Sequence, residues 1–299
     1  MSIPPPAPDG LIVVDKPAGW TSHDVVARLR RLARTRRVGH AGTLDPMATG
    51  VLVVGVGAAT RLLHHLVLAD KAYEATIRLG QSTVTDDAEG EVTGGASAAS
   101  LTPDAVREAL RPLTGDIAQV PSSVSAIKID GQRAYKRVRD GESPQLPARP
   151  VVVARFDALD FRRPEGELLD VDVQVECSSG TYIRALARDL GAALGTGGHL
   201  TALRRTRVGP FTLGGAATLD ELAEREHPVT LPLAEAVATA LKVRTVDADE
   251  VRELSFGRSL TATGDPATHG ALDTDGRAIA LLLDRDGRAR PVLVFAPAG

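Results

Sequence analysis

The stretch GHAGTLDPMATG, residues 39–50, holds a single carboxylate, Asp45, in a glycine-rich segment. The apolar run VLVVG follows it and has the composition of a buried strand. An arginine-rich segment precedes it and contains Arg28, Arg30, Arg31, Arg34, Arg36 and Arg37. A carboxylate in a loop between a core strand and a basic surface indicates chemistry on a polyanion, and nucleic acid is the polyanion that this arrangement favours.

The composition is typical of a globular chain with a large domain and a small one. The chain has 299 residues, of which 43% are apolar and 24% are charged. No apolar run approaches the ~20 residues of a membrane-spanning helix, and the proline-rich residues 1–9 look like a disordered lead-in rather than a signal peptide. Cys177 is the only cysteine, which excludes an internal disulfide, and Cys/His metal spacing is absent. We therefore expect a cytoplasmic protein that needs neither a metal nor a membrane.

The charge is unevenly distributed along the chain. The net charge of −3 is not typical of a nucleic-acid-binding protein. Residues 16–45 nevertheless carry seven basic and two acidic side chains, residues 122–155 carry seven and three, and residues 184–207 carry five and one. If these segments converge in space, they form a positive groove on an acidic body. The alternative is that the arginines form solvated helix faces, and the sequence leaves both interpretations open.

Hydrophobic periodicity predicts an α+β fold. Alternation of apolar and polar residues is clearest over 168–177, and the predicted strands are 10–15, 51–56, 72–79, 124–130, 150–160, 168–177, 199–208 and 211–213. Capping residues and helical spacing predict helices over 21–33, 58–68, 102–115, 132–139, 181–194, 218–225 and 232–240. The polar residues 80–101 are predicted to be a mobile loop. Because strands and helices alternate irregularly, we predict a mixed, largely antiparallel sheet core flanked by helices.

The last part of the chain has a different character. Residues 242–246 predict a short strand, and Asp247 with Glu250 forms a capping-box pattern before a short helix. Two further strands, 278–284 and 291–296, flank an Asp-Gly-Arg turn. Residues 241–299 are therefore predicted to form a small, mostly β domain.

The role of Asp45 is ambiguous when only its spacing is considered. Asp-Pro pairs commonly begin turns, so a structural role in the turn is the first alternative. A carboxylate is already ionised at neutral pH and could act as a nucleophile or a base without further activation. The amino-acid sequence of the surrounding segments favours the catalytic interpretation.

Several segments resemble one family, the bacterial tRNA pseudouridine-55 synthases. The resemblance begins with GHAGTLDP and ATGVL and extends over residues 10–235. The other matching segments are DKPAGWTSHDVV (15–26), KAYEATIRLGQSTVTDDAEG (71–90), QVPSSVSAIKIDGQRAYKRVRDG (119–141), CSSGTYIRALARDLG (177–191) and HLTALRRTRVGPF (199–211). Val124 departs from the pattern, because many members have a tyrosine there.

The resemblance implies roles for individual residues. Asp45 would be the catalytic residue that acts on the target uridine, and Arg184 would pair with it. Tyr73 would stack on the flipped base, and Leu203 would line the uracil pocket. The remaining residues implied to bind the substrate are His40, which would pack against the RNA loop, and Tyr182 and Lys16, which lie in matching segments. Without the resemblance, Tyr73 and Leu203 would be interpreted as core residues, Arg184 as a surface or ion-pair arginine, and His40 as a loop or capping histidine.

The resemblance also implies an architecture and a reaction. Residues 10–240 would form a pseudouridine synthase domain, with an RNA-contacting insertion at about 119–150, and residues 241–299 would form a small PUA-like RNA-binding domain. The reaction would isomerise uridine 55 in the T arm of tRNA without a cofactor or a metal, and the enzyme would be a monomer. The candidates for contacts to the RNA backbone are Arg36, Arg37, Lys128, Arg133 and Lys136.

Two alternatives belong to other functional classes. One is an RNA-binding chaperone that uses the same basic surface without catalysis. The other is a phosphohydrolase with an aspartyl nucleophile, which would normally need a metal and further acidic ligands. Its candidate ligands are Asp86, Asp87 and Glu89, in the predicted loop.

Overall fold

The computed structural model describes residues 5–122, 146–164 and 166–298, together with the backbone of Lys128–Ile129 and Gln132–Arg133. The helices of these residues are, in chain order, α1 (Ser22–Leu32), α2 (Leu63–Val67), α3 (Pro103–Leu110), α4 (Ile183–Ala193), α5 (Leu219–Glu224), α6 (Leu233–Ala240) and α7 (Ala248–Ser255). The strands are β1 (Gly10–Lys16), β2 (Val38–Ala41), β3 (Thr49–Val56), β4 (Lys71–Leu79), β5 (Ser82–Thr83), β6 (Val92–Gly94), β7 (Gly115–Gln119), β8 (Lys128–Ile129), β9 (Gln132–Arg133), β10 (Arg149–Arg162), β11 (Leu169–Cys177), β12 (Gly198–Val208), β13 (Phe211–Thr212), β14 (Leu231–Pro232), β15 (Val243–Val246), β16 (Leu260–Thr261), β17 (His269–Asp273), β18 (Ala278–Arg285) and β19 (Arg288–Val294).

The chain divides into two compact units. Unit 1 contains Met1–Pro46, Gly50–Val67 and Val208–Gly299, and unit 2 contains Met47–Thr49 and Leu68–Arg207. The predicted fold class is confirmed, because helices accompany sheets in which β1–β3, β4–β11, β10–β11, β7–β10 and β18–β19 pair antiparallel and β15–β17 pair parallel.

Unit 1 is built around β3. This strand pairs with β1 on one side and β2 on the other, and β14 continues the sheet beyond β1. The run VLVVG explains its central place, because Val51, Leu52, Val53 and Val54 are all fully buried, so both faces of the strand need apolar cover. Helix α1 begins where the sequence predicted, since Thr21 and Asp24 form a reciprocal capping box.

Unit 2 contains a sheet in the order β12, β4, β11, β10 and β7, in which β4–β11, β11–β10 and β10–β7 pair antiparallel. The alternation of β11 explains its placement. Its apolar residues are buried, whereas Asp170 accepts two hydrogen bonds from Arg78 of the neighbouring β4 on the opposite face. Helices α3 and α4 pack against β10 and β4, respectively.

The C-terminal residues form a five-stranded sheet in the order β15, β17, β18, β19 and β16. Its core contains Val246, Leu254 and Ala280, and α7 begins at a capping box of Asp247 and Glu250. Leu281 of β18 belongs to the same apolar cluster as Leu11 of β1, so this sheet shares a core with the rest of unit 1. The division at residue 240 into catalytic and RNA-binding domains stays a prediction.

Four local predictions need correction. Residues 38–41 form β2 rather than loop, and residues 115–119 form β7 directly after α3. Within the predicted loop 80–101, β5 pairs with β6. Residues 132–133 pair with 128–129 as β9 and β8 instead of beginning a helix. These strands have two to five residues each, and such short segments carry too little periodicity to outweigh the pairing that tertiary structure imposes. The rest of the predicted helix, residues 134–139, lies outside the described residues, as do 124–127 and 130 of the predicted strand 124–130.

The strands β16 and β17 were not predicted either. Within the described part of the chain, every helix is too short or too polar to cross a lipid bilayer.

Candidate active site

The backbone on both sides of Asp45 is held by side chains or amides from residues 16–22. The hydroxyl of Ser22 accepts a hydrogen bond from the Leu44 N–H at 2.9 Å and donates one to the Leu44 carbonyl at 3.1 Å. The carbonyl of Pro46 accepts from the Gly19 N–H at 2.9 Å and from Lys16 Nζ at 3.2 Å. Asp45 itself is half-buried. Its position is therefore fixed from residue 44 and from residue 46.

Lys16 is buried within this arrangement. Its ammonium also donates to the carbonyls of Pro17 at 2.9 Å and Trp20 at 2.7 Å, and its side chain is fully shielded from solvent. A buried ammonium is stable only when its protons are accepted, and here carbonyl oxygens accept them. The structure thus places Lys16 as a support of the Asp45 loop.

His40 lies on β2, ahead of the loop. Its ring meets that of His23 edge to face, with centroids 5.6 Å apart. His23 is exposed and His40 is half-buried. The strand that carries His40 also pairs with β3, so Asp45 lies in a loop between two neighbouring strands of unit 1.

In unit 2, Tyr73 and Leu203 are both largely buried. Tyr73 lies on β4 opposite Val175 of β11, and Leu203 lies on β12. Their burial agrees with an apolar wall for a base, and it agrees equally with an ordinary core role.

Arg184 lies in the first turn of α4 and is buried. Its Nη1 donates to the Thr85 carbonyl at 2.8 Å and lies 3.6 Å from Oδ2 of Asp87. Asp87 is held in turn by the Thr85 hydroxyl at 2.5 Å and by the Glu89 N–H at 3.1 Å. No sequence pattern identified Asp87 as a partner of Arg184, although both residues lie in segments that match the family.

The neighbouring Asp86 contacts the next turn of the same helix. Arg188 Nη1 lies 3.6 Å from Oδ2 of Asp86, and Arg184 and Arg188 share one face of α4 because they are four residues apart. Burial raises the pKa of the Asp86 carboxyl above its ordinary value. Residues 85–89, which belong to the predicted loop 80–101, therefore contact α4 through the carboxylates of Asp86 and Asp87.

Tyr182, the N-cap residue of α4, is held by its backbone. Gln119 Nε2 donates to the Tyr182 carbonyl at 3.0 Å, and the Tyr182 N–H donates to Gln119 Oε1 at 2.8 Å. No local sequence signal pointed to Gln119, because it lies 63 positions away in the chain. This contact fixes the start of α4 and so the direction in which Arg184 leaves the helix.

Unit 2 contains a cavity of about 500 Å³ beside Leu203. Met47, Thr49, Thr76, Asp172 and Arg204 are among its other lining residues. Tyr73 and Arg184 do not line it. Of the three unit 2 residues assigned to catalysis or base binding, Leu203 alone is among its lining residues.

The structure describes the candidates for contacts to the RNA backbone to different extents. Arg36 and Arg37 are exposed. For Lys128 and Arg133 the backbone pairs in a two-stranded hairpin, and their side chains lie outside the described residues. Lys136 also lies outside them.

A metal site is not present among the described residues in the form of three or more clustered His, Cys, Asp or Glu side chains. Two of the candidate ligands of the phosphohydrolase alternative, Asp86 and Asp87, instead form ion pairs with Arg188 and Arg184, respectively.

Three family models match the chain in succession. The N-terminal domain of the TruB family pseudouridylate synthases matches residues 30–183, the tRNA pseudouridylate synthase B C-terminal domain matches 184–238, and the C-terminal domain of tRNA pseudouridine synthase II matches 241–296. Two relatives named tRNA pseudouridine synthase B are similar over nearly their whole length. That of Thermobifida fusca (strain YX) is 62% identical over 96% of this chain and 99% of its own, and that of Arthrobacter sp. (strain FB24) is 61% identical over 96% and 97%.

Two solved structures share the fold. A chain of a Cbf5-Nop10-Gar1 complex is 26% identical and has a TM-score of 0.72, covering 96% of this chain and 85% of that one. A chain of an H/ACA RNP bound to a substrate RNA containing 2′-deoxyuridine is 26% identical with a TM-score of 0.71 and the same coverage. Because these family models match in succession and the two relatives are similar over nearly their whole length, this chain belongs to the TruB family of pseudouridylate synthases.

Proposed function

We propose that this enzyme isomerises uridine 55 in the T arm of tRNA to pseudouridine, with Asp45 as the catalytic residue. The observation that carries the proposal is the two-sided support of the Asp45 loop by Ser22 and Lys16. A group that acts on one atom of a substrate must be held within about 0.5 Å, and backbone fixed on both sides provides such precision. The names of the relatives support tRNA as the substrate.

The reaction is a balanced rearrangement. The C1′–N1 bond of the uridine breaks, the uracil turns, and C5 forms a bond to C1′. The hydrogen on C5 leaves as a proton and N1 gains one, so nothing is oxidised and no group is donated. In these reaction steps Asp45 acts either as a nucleophile or as a base.

The other residues bind and orient. The target base must leave its stack to reach Asp45, which costs a few kcal/mol. Tyr73 offers a ring face and Leu203 an apolar wall, which hold a base without preventing its rotation. The resemblance assigns Arg184 to orienting the Asp45 carboxylate, a role that suits a guanidinium fork.

RNA recognition rests on shape and phosphate contacts. The segments 28–37 and 128–139 supply the positive charge, and the RNA loop is read through its fold and its 2′-hydroxyls. The C-terminal residues 241–299 form a second, PUA-like contact, although they carry eight basic and nine acidic side chains. The enzyme works as a monomer in the cytoplasm, which the single buried cysteine fits.

The decisive experiment uses an unmodified tRNA transcript that carries tritium at C5 of its uridines. We expect release of about one equivalent of tritium per tRNA, since one uridine is converted, and pseudouridine at position 55 when the product is mapped. Asp45→Asn should fold normally and lower the rate by at least ~10⁴-fold, which corresponds to about 5.5 kcal/mol of barrier. Asp104→Asn, at an exposed carboxylate of α3, is the control for the chemical change.

Two outcomes contradict the proposal in different ways. Tight tRNA binding without tritium release would favour the chaperone alternative. Release by Asp45→Asn within tenfold of the unsubstituted enzyme would leave the activity intact and remove Asp45 from its catalytic role.

A further inference from the structure

Trp20 is the single tryptophan of the chain, and 37% of its surface is exposed. An exposed apolar side chain is common on protein surfaces and alone indicates nothing. Its backbone, however, is held by hydrogen bonds on both sides of the residue, and this makes the position informative.

The backbone of Trp20 is anchored to the groups that support Asp45. The carbonyl of Trp20 accepts a 2.7 Å hydrogen bond from Lys16 Nζ, the atom that also donates to Pro46. The preceding residue, Gly19, donates to the same Pro46 carbonyl. The following residue, Thr21, is the N-cap of α1. The residue that carries the exposed ring and the loop that carries Asp45 are therefore held by the same hydrogen-bond donor, Lys16.

The indole ring makes no hydrogen bond or ring pair with the described part of the protein. None of the described residues accepts a hydrogen bond from its Nε1–H, and the aromatic and cation–π pairs of these residues do not include it. A ring on a fixed backbone loses little conformational freedom when a ligand covers it, which favours binding.

The residues that follow Trp20 in the chain have the charge and ring content that suit a nucleic acid. His23, in the first turn of α1, is exposed and meets His40 edge to face. The arginine-rich segment follows on the same helix and the turn after it, with Arg36 and Arg37 exposed. A ligand that is both polyanionic and rich in π faces fits this combination, and unpaired RNA bases stack on such rings.

We propose that the indole ring of Trp20 is a stacking platform for an unpaired base that neighbours the target uridine in the substrate RNA. The proposal rests on the proposed function, since the target is the uridine on which Asp45 acts. Trp20 would be a substrate-binding residue that positions the RNA loop before the base flips.

The single tryptophan makes a direct test possible. Because all tryptophan fluorescence of the chain arises from Trp20, we expect an unmodified T-arm stem-loop to quench it to a saturating value and to protect it from acrylamide. Binding of the stem-loop, established independently by filter retention, with unchanged fluorescence and unchanged acrylamide quenching would overturn the proposal. This readout does not depend on catalysis, so it separates failure of the stacking role from failure of the proposed function.

Substitutions separate a stacked ring from apolar bulk. Trp20→Leu removes the ring and should raise the KM for tritium release on the order of tenfold with kcat little changed, whereas Trp20→Phe keeps a ring and should remain within about threefold. Phe161→Leu is the control, because its ring already lies 5.2 Å from the Arg107 guanidinium carbon, and it should leave KM unchanged. Equal KM values for the Leu and Phe variants of Trp20, with both folded by circular dichroism, would show that the ring does not stack on the RNA.

Discussion

The ammonium of Lys16 lies 3.2 Å from the carbonyl oxygen of Pro46, thirty positions away and directly after Asp45. The same ammonium donates to the carbonyls of Pro17 and Trp20. One buried charge therefore ties the segment after β1 to the loop that carries the proposed catalytic carboxylate. A lysine that sequence resemblance associates with substrate binding is used, in the folded chain, to hold backbone.

Replacing Lys16 should affect stability and activity together. Lys16→Met keeps most of the side-chain volume but leaves buried carbonyls without their donor, which should lower the free energy of unfolding by about 2 kcal/mol. Tritium release should fall further than the folded fraction, because the Asp45 loop loses its support. Lys242→Met is the control, since Lys242 is 82% exposed in its ion pair with Asp265, and urea denaturation should show a change below about 0.5 kcal/mol. Similar midpoint shifts for the two variants would contradict this role of Lys16.

The ion pair of Asp87 and Arg184 should contribute far more to the free energy of unfolding than the distance between its charged atoms indicates. Both side chains are buried, so Asp87→Asn removes a buried negative charge that faces the Arg184 guanidinium and should cost about 3 kcal/mol of unfolding free energy. It should also lower tritium release, because Arg184 loses a contact that orients it.

The matched control for that pair is Asp104→Asn. Its partner Arg107 is closer, at 3.0 Å, but the two side chains are 93% and 52% exposed, so its loss should cost less than about 0.5 kcal/mol. Denaturation curves of the two variants give the comparison directly. Equal costs would mean that burial does not determine the strength of the Asp87–Arg184 pair.

Sequence patterns predicted most of the scaffold and singled out the segment that carries Asp45. The Thr21 and Asp24 capping box and the alternation of 168–177 are local signals, and both elements form where those signals place them. The loop of Asp45 was identified through residues that are contiguous in the chain. By contrast, β2 and β7 depend on the strands they pair with, and their own four or five residues carry little periodicity.

The supporting contacts of the site could not be predicted for the same reason. Ser22 reaches Leu44 across 22 positions, and Gln119 reaches Tyr182 across 63. Neither residue type has a distinctive pattern, and each contact exists only once distant segments have packed together. Asp87 was visible as part of an acidic cluster, but its choice of Arg184 as a partner required the docking of residues 85–89 on α4.

The stability of the enzyme should depend on pH through Lys71. Burial, together with the nearby positive charge of Arg205, lowers the pKa of Lys71 from 10.5 to about 8. Between those values the unfolded chain holds a proton that the folded chain has released, so the free energy of unfolding should rise with pH. Burial also raises the pKa of Cys177 from 9.0 to about 11, and its contribution falls with pH over that interval. The rise should therefore be clearest between pH 8 and 9.

Lys71→Met should remove this rise, and the measurement is the difference in unfolding free energy between variant and unsubstituted enzyme at each pH. That difference should change between pH 8 and 10, whereas the difference for the exposed Lys242→Met should stay constant. Curves for Lys71→Met that run parallel to those of the unsubstituted enzyme would show that Lys71 titrates at its ordinary pKa in the folded chain.

Arg36 and Arg37 should contribute to RNA affinity through phosphate contacts. Both side chains are exposed, and they lie between α1 and β2, close in sequence to His40. Replacing both with alanine should weaken tRNA binding and reduce the slope of log K against log salt by about 1 to 2, since each phosphate contact releases counterions. The control is alanine at Arg107 and Arg111, which removes the same charge from arginines already paired with Asp104 and Glu108 and should leave the slope nearly unchanged. If the two double variants shift the slope equally, the effect belongs to net charge, and the phosphates lie elsewhere on the protein.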